Sequence, residues 1–128
     1  MTIADRIWNR GALERGGGAP RTGDRALASV LLVHGLVMNG GVHHAIESVD
    51  ATELAAAVDG YAFLGLCNVA TFFRGASDDP VLSEWTEETE VTANRRYESM
   101  IPSDSSLQTR FQEVLRTRAD EFAPINSD

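Results

Sequence analysis

Cysteine is almost absent from this chain. Cys67 stands alone, which excludes an internal disulfide and a cysteine-rich metal site. It lies in the most apolar stretch, Tyr61 to Phe73, with no basic neighbour in sequence, so a reduced and buried core thiol is predicted rather than a nucleophile. Long apolar runs are missing too. Neither Ala26 to Met38 nor Tyr61 to Phe73 approaches the ~20 residues of a membrane-spanning helix, and both read as core helices. Met1 to Arg10 lacks the apolar centre and small-residue cleavage site of a signal peptide, so the expected location is the cytoplasm. Lysine does not occur, and all eleven basic residues are arginine, a composition expected of a GC-rich bacterial genome. Positive charge is in deficit: the net charge of -8 disfavours direct binding to nucleic acid or an anionic membrane. No phosphate loop, nucleophile elbow or dinucleotide fingerprint is present, and Gly16-Gly17-Gly18 lacks the Lys-Ser/Thr that a phosphate-cradling loop requires. No cofactor is expected.

What remains is ordinary globular material. In 128 residues, 43% are hydrophobic and 23% charged, enough to build one core and too apolar for a disordered chain. Thr2 can cap a short helix over residues 2 to 13, and the glycine-rich stretch from Glu14 to Gly23 reads as a loop. Residues 1–23 are therefore set apart from a helical core domain, 24–128. With Asp24 as cap, Leu27, Val30, Leu31, His34 and Met38 share one helical face, widened by Leu32 and Val37. Asn39-Gly40-Gly41 supplies a tight turn into a helix striped by Val42, Ala45, Ile46 and Val49. Asp50 and Glu53 form a capping box for a helix ending near Gly60, and Tyr61 to Arg74 is predicted as a central helix. Asp79-Pro80 starts another, with Leu82, Trp85, Thr89, Ala93, Tyr97 and Met100 as its buried stripe. After Pro102, Ser103 or Asp104 caps a last helix carrying Leu107, Phe111, Val114, Leu115 and Phe122. No segment alternates with period 2 for more than a few residues. The expected fold is all-α, an irregular single-domain bundle of about five to seven helices.

Candidate chemistry is sparse. His43, His44 and Glu47 could share a helix face, but adjacent histidines point about 100° apart and a metal site needs three or four converging ligands. One surface and one partly buried imidazole are predicted there, with no metal and no catalytic residue. The charge distribution is more informative. Residues 41–94 hold ten acids and only Arg74, a net charge of -9, whereas residues 1–40 carry +2. Asp78, Asp79, Glu84, Glu87, Glu88 and Glu90 form a run with no basic residue among them. If one helix starts at Pro80, Glu84, Glu87 and Glu88 project opposite the Leu82/Trp85 stripe, and Glu84 and Glu88 repel at i, i+4. Such a row can be a solvated helix start, favoured by the dipole, or a negative ridge that meets a basic protein surface.

The order Asn39-Gly40-Gly41, the Asp50-capped helix, Tyr61 to Phe73, and Asn94-Arg95-Arg96-Tyr97 before the Leu107/Phe111/Leu115 helix resembles a small all-helical bacterial family. That family is of largely unknown function and includes a DNA-mimic protein. The similarity spans roughly residues 27 to 122 and departs from the family after the glycine pair, where Val42-His43-His44-Ala45 replaces aromatic and polar residues. The resemblance implies an all-α fold and a structural Asn39-Gly40-Gly41 turn. It allows the six acids to imitate a phosphate backbone toward a DNA-binding regulator. The reading is then a non-enzymatic protein-binding domain whose partner has a basic surface, such as a transcription factor, with a second copy of the chain as a further candidate partner. The alternatives are an immunity or antitoxin-like inhibitor of a basic toxin and, with less support, a small hydrolase built on His43 or His44 with Glu47.

Overall fold

A computed structural model describes residues 1–125. They form eight α-helices and a closing 3-10 turn, with no strand among the described residues. The helices are α1 (Ile3–Glu14), α2 (Thr22–Gly40), α3 (Val42–Ser48), α4 (Ala51–Phe63), α5 (Cys67–Arg74), α6 (Pro80–Ser83), α7 (Glu87–Met100) and α8 (Asp104–Thr117). The turn is Ala119–Glu121. Among the described residues no helix is long and apolar enough to cross a membrane.

α2 is the central element, packed against α1, α3 and above all α4. The α2–α4 crossing is tight because Gly60 has no side chain: a methyl group there would lie 2.5 Å from the Ala26 carbonyl oxygen. Val30, Val33, Tyr61, Leu64, Phe73, Leu82, Ala93, Tyr97 and Leu107 fill the main core. A second cluster of Ile7, Leu27, Phe111 and Phe122 joins α1, α2, α8 and the C-terminal segment, with Trp8 against Phe111 at 5.7 Å between ring centres.

The start of α2 differs from expectation. The helix begins at Thr22, and Asp24 is an internal residue, 1% exposed, rather than its cap. One carboxylate oxygen accepts from the Arg10 guanidinium at 2.7 Å. The other accepts from the backbone N–H groups of Arg21 at 3.0 Å and Ala123 at 2.7 Å. Arg10 also donates to the Ala123 carbonyl at 2.8 Å. A buried carboxylate is tolerated only when paired and fully hydrogen-bonded. This one clasps α1, the start of α2 and the chain's end.

Two predicted helices are each broken in two. The helix capped by Asp50 runs through Gly60 to Phe63, and Gly65, at φ 75°, turns the chain before α5 begins at Cys67. The Leu66 N–H returns to the Tyr61 carbonyl at 2.8 Å and closes that end. A glycine within the apolar run makes the left-handed turn accessible. Tyr61 and Phe73 can then stack from two different helices, 5.7 Å apart. Cys67, at the start of α5, is exposed rather than buried. The helix predicted from Pro80 stops at Ser83, and α7 starts afresh at Glu87 with Thr86 as cap. Thr86 Oγ1 accepts from the Thr89 N–H at 3.1 Å, and Thr89 Oγ1 accepts from the Thr86 N–H at 2.9 Å. The Thr89 hydroxyl donates to the Glu84 carbonyl, which fixes the bend. The reciprocal threonine cap outcompetes continuation because Thr gains little inside a helix. Trp85 therefore sits in the bend, half-exposed, and Met38 and Leu32 are also exposed instead of buried. Ser103, not Asp104, caps α8. That helix ends at Thr117, so Phe122 reaches the core from beyond the 3-10 turn.

Candidate functional site: the Asn-Gly-Gly turn and the acidic face of α7

The Asn39-Gly40-Gly41 turn is held by a distant side chain. Gly41 takes φ 95° and ψ 175°, which carries the chain from α2 into α3 almost without a linker. The first N–H of α3, on Val42, donates to Asn94 Oδ1 on α7 at 2.8 Å. A methyl group on Gly41 would stand 3.1 Å from that same amide. Close approach and positive φ both favour glycine. Beside the turn, a cleft of about 440 Å³ opens between the end of α2 and the end of α7.

Behind the cleft runs a polar chain that is buried except at its Asp104 end. Tyr61 and Tyr97 hydroxyls are 2.9 Å apart. Tyr97 also meets His34 Nδ1 at 2.7 Å, and His34 Nε2 meets the Asp104 carboxylate at 2.7 Å. A consistent direction has Tyr61 donating to Tyr97, Tyr97 to His34 Nδ1, and His34 Nε2–H to Asp104. Both tyrosines are almost fully buried, and that burial pushes their hydroxyls well above the usual tyrosine range. His34 and Tyr97 were legible only as members of buried stripes. The signal that joins them is that polar atoms on such stripes must find partners.

The six acids of the predicted ridge separate into different environments. Asp79 caps α6, accepting from the Val81 N–H at 3.0 Å, and faces Arg96 at 3.3 Å across a partly exposed pair. Asp78 is exposed on the loop before it. Glu84 lies in the bend with extended backbone, so it makes no i, i+4 helical pair with Glu88 and the expected repulsion between them does not arise in that form. Glu87, Glu88 and Glu90 occupy the first turn of α7, where negative charge suits the helix dipole. All four glutamates are exposed, and none is ion-paired with another described residue.

The histidine set does not converge. The His43 ring is buried, donating Nε2–H to the Val81 carbonyl at 2.8 Å and stacking on Trp85 at 5.6 Å. His44 packs over Gly40, where a methyl group would come within 2.6 Å of its ring. Glu47 is exposed on α3. Among the described residues no three His, Cys, Asp or Glu are placed to hold a metal ion.

A family model described as "DMP19-like protein" matches residues 20–126. The chain belongs to the DMP19-like protein family. The matched span takes in α2 to α8 and with them the turn, the Tyr–His–Asp chain and all six acids, while α1 lies outside it. No curated protein and no solved structure matches the chain. The segment Val42-His43-His44-Ala45 has a structural role in this DMP19-like chain. Val42 and Ala45 enter the core and His43 braces the α6–α7 bend that carries the acids.

Proposed function

We propose that this chain is a non-enzymatic protein-binding domain that uses the acidic bend and first turn of α7 as a DNA mimic, occupying the basic DNA-binding surface of a regulator. The observation that carries the reading is that Glu84, Glu87, Glu88 and Glu90 are exposed and unpaired among the described residues, in a segment with a net charge of -9. By contrast, Asp24, Asp79 and Asp104 are engaged with Arg10, Arg96 and His34. Carboxylates already engaged by a neighbouring side chain have less to offer a partner. Free carboxylates concentrated in one short segment steer a basic protein toward that segment. Membership of the DMP19-like family supports the reading, since the family it resembles includes a DNA mimic.

The test is the triple substitution E84Q/E87Q/E88Q, compared with the parent chain in capture from host extract and then against the purified captured protein. The bend is held by backbone and threonine hydrogen bonds, so the variant should fold normally. Affinity should fall, mainly through slower association, with a shallower salt dependence because fewer opposed charges are screened. Duplex DNA should displace the parent chain from its partner. A partner that binds the variant with unchanged affinity and salt dependence, or a basic toxin that DNA does not displace, refutes the mimic reading.

A further inference from the structure

The end of α2 is left electrically incomplete by the same residue that fixes the turn. In a continuing helix, the Val42 N–H would close on the Met38 carbonyl, but it is diverted to Asn94. The Gly41 N–H reaches Val37 and the Ala45 N–H reaches Gly41. The carbonyls of Met38, Asn39 and Gly40 accept no hydrogen bond from a described residue. α2 has 19 residues and no basic residue in its last turn, so no side chain of the helix itself offsets the partial negative charge of this end.

Met38, Asn39 and Gly40, which carry these carbonyls, line the cleft of about 440 Å³ together with Glu98 of α7. Glu98 is exposed and has no ion-pair partner among the described residues. Met38, Ile101 and Pro102 supply apolar wall, and Met38 is 59% exposed there. The cleft thus brings together a carboxylate, the end of α2 with its unsatisfied carbonyls and a hydrocarbon lining. At about 100° per residue, Glu87, Glu90, Asn94 and Glu98 fall within roughly a quarter turn of one another. The cleft is therefore the lower end of the acidic edge of α7.

We propose that this cleft is a guanidinium pocket, which takes one arginine side chain of the protein partner. The choice of arginine follows from the acceptors. Glu98 and the end of α2 line the opening from two different helices, and a planar guanidinium offers five N–H donors in a fixed fork, weak hydration and a stem that can pack on Met38 and Ile101. A lysine ammonium is a more strongly hydrated point charge and suits such a lined cleft less well. The partner's identity as a protein rests on the function proposed above, whereas the pocket's preference for guanidinium does not.

The experiment is an amide NMR titration of the full chain with N-acetyl-arginine-N-methylamide, and with the lysine counterpart. Saturable shifts are expected at Gly40, Gly41 and Asn94, with the lysine probe several-fold weaker. E98Q should weaken the arginine probe by about tenfold, the usual scale of one charge-assisted hydrogen bond, with the rest of the spectrum unchanged. Absence of saturable shifts at Gly40 and Gly41, equal binding of the lysine probe, or an unaltered affinity in E98Q overturns the proposal. The two readings fail separately. Loss of partner binding in E84Q/E87Q/E88Q without any arginine-probe binding removes the pocket alone, and arginine-probe binding with partner affinity untouched in that variant removes the mimic alone.

Discussion

Replacing Asp24 with asparagine tests the clasp at the least possible steric cost. The carboxylate receives three donors, Arg10 at 2.7 Å, the Arg21 N–H at 3.0 Å and the Ala123 N–H at 2.7 Å. Asparagine has one acceptor oxygen. If that oxygen faces the two backbone donors, its NH₂ group confronts the Arg10 guanidinium; if it faces Arg10, the NH₂ group confronts two backbone N–H groups. In either orientation donors face donors at a site 1% exposed, and Arg10 keeps its charge without a counter-charge. Breaking one member of a buried pair costs about 3–5 kcal/mol, a large part of the ~5–15 kcal/mol that holds a domain folded. Unfolding in urea followed by tryptophan fluorescence reads this directly, since Trp8 packs on Phe111 beside the clasp. The midpoint of thermal unfolding should fall by roughly 10–20 °C. R10M/D24N should lose less than the sum of its single variants, because the second substitution removes a charge already stranded by the first. A D24N chain within about 0.5 kcal/mol of the parent, the range of an ordinary surface change, would show that the clasp does not hold the fold.

Two further outcomes follow from burial. The chain has two tyrosines, and both hydroxyls are held above their ordinary value by burial. A raised folded-state pKa means that stability is intact below the unfolded value near 10 and is lost above it, at about 1.4 kcal/mol per pH unit for each hydroxyl kept neutral. Ultraviolet titration should therefore show tyrosinate absorbance only together with loss of helical circular dichroism; tyrosinate forming in a fully helical chain would contradict the burial of both groups. At the α2–α4 crossing, G60A should destabilise by about 1–3 kcal/mol despite alanine's better helix propensity, because the added methyl meets the Ala26 carbonyl at 2.5 Å. Denaturant unfolding with a raised midpoint would place the crossing farther apart than described.

Helix existence was legible in the sequence, and helix continuity was not. Apolar spacing found α2, α7 and α8 because each has a one-sided stripe, and the Thr2 cap and the Asp50 capping box form as read. The breaks at Gly65 and Thr86 escaped detection because a stripe constrains which side is buried, not whether the axis bends. Leu64 and Val69 remain buried on either side of the first break, so their hydrophobicity carries no sign of it. Cys67 looked buried for the same reason: its neighbours are apolar, but at the start of α5 it turns outward. Asp24 looked like a cap because a helix-start aspartate usually is one, and only the distant Arg10 and Ala123 give it another role. The Asn39-Gly40-Gly41 turn could be read locally, whereas Asn94, 52 positions away from Val42 in the bond it makes, could not.

Negative charge serves two separable ends in this molecule, and burial divides them. Asp24 and the Asp104–His34 contact tie α2 to α1, to α8 and to the C-terminal segment, with at least one member of each pair withdrawn from solvent. The buried Arg10–Asp24 pair is weakly screened by salt, so it keeps α2 against α1 across a wide range of ionic strength. The exposed glutamates of the α6–α7 bend have no such internal duty, and a solvent-facing charge acts at a distance only while the salt around it is dilute enough. The scaffold is thus salt-tolerant where it must be rigid and salt-sensitive where it would meet a partner. His43 links the two regimes. Buried at the α3 end, it reaches the Val81 carbonyl and the Trp85 ring, so the geometry of the acidic bend is set by the rigid side of the fold rather than by the repulsion among its own carboxylates.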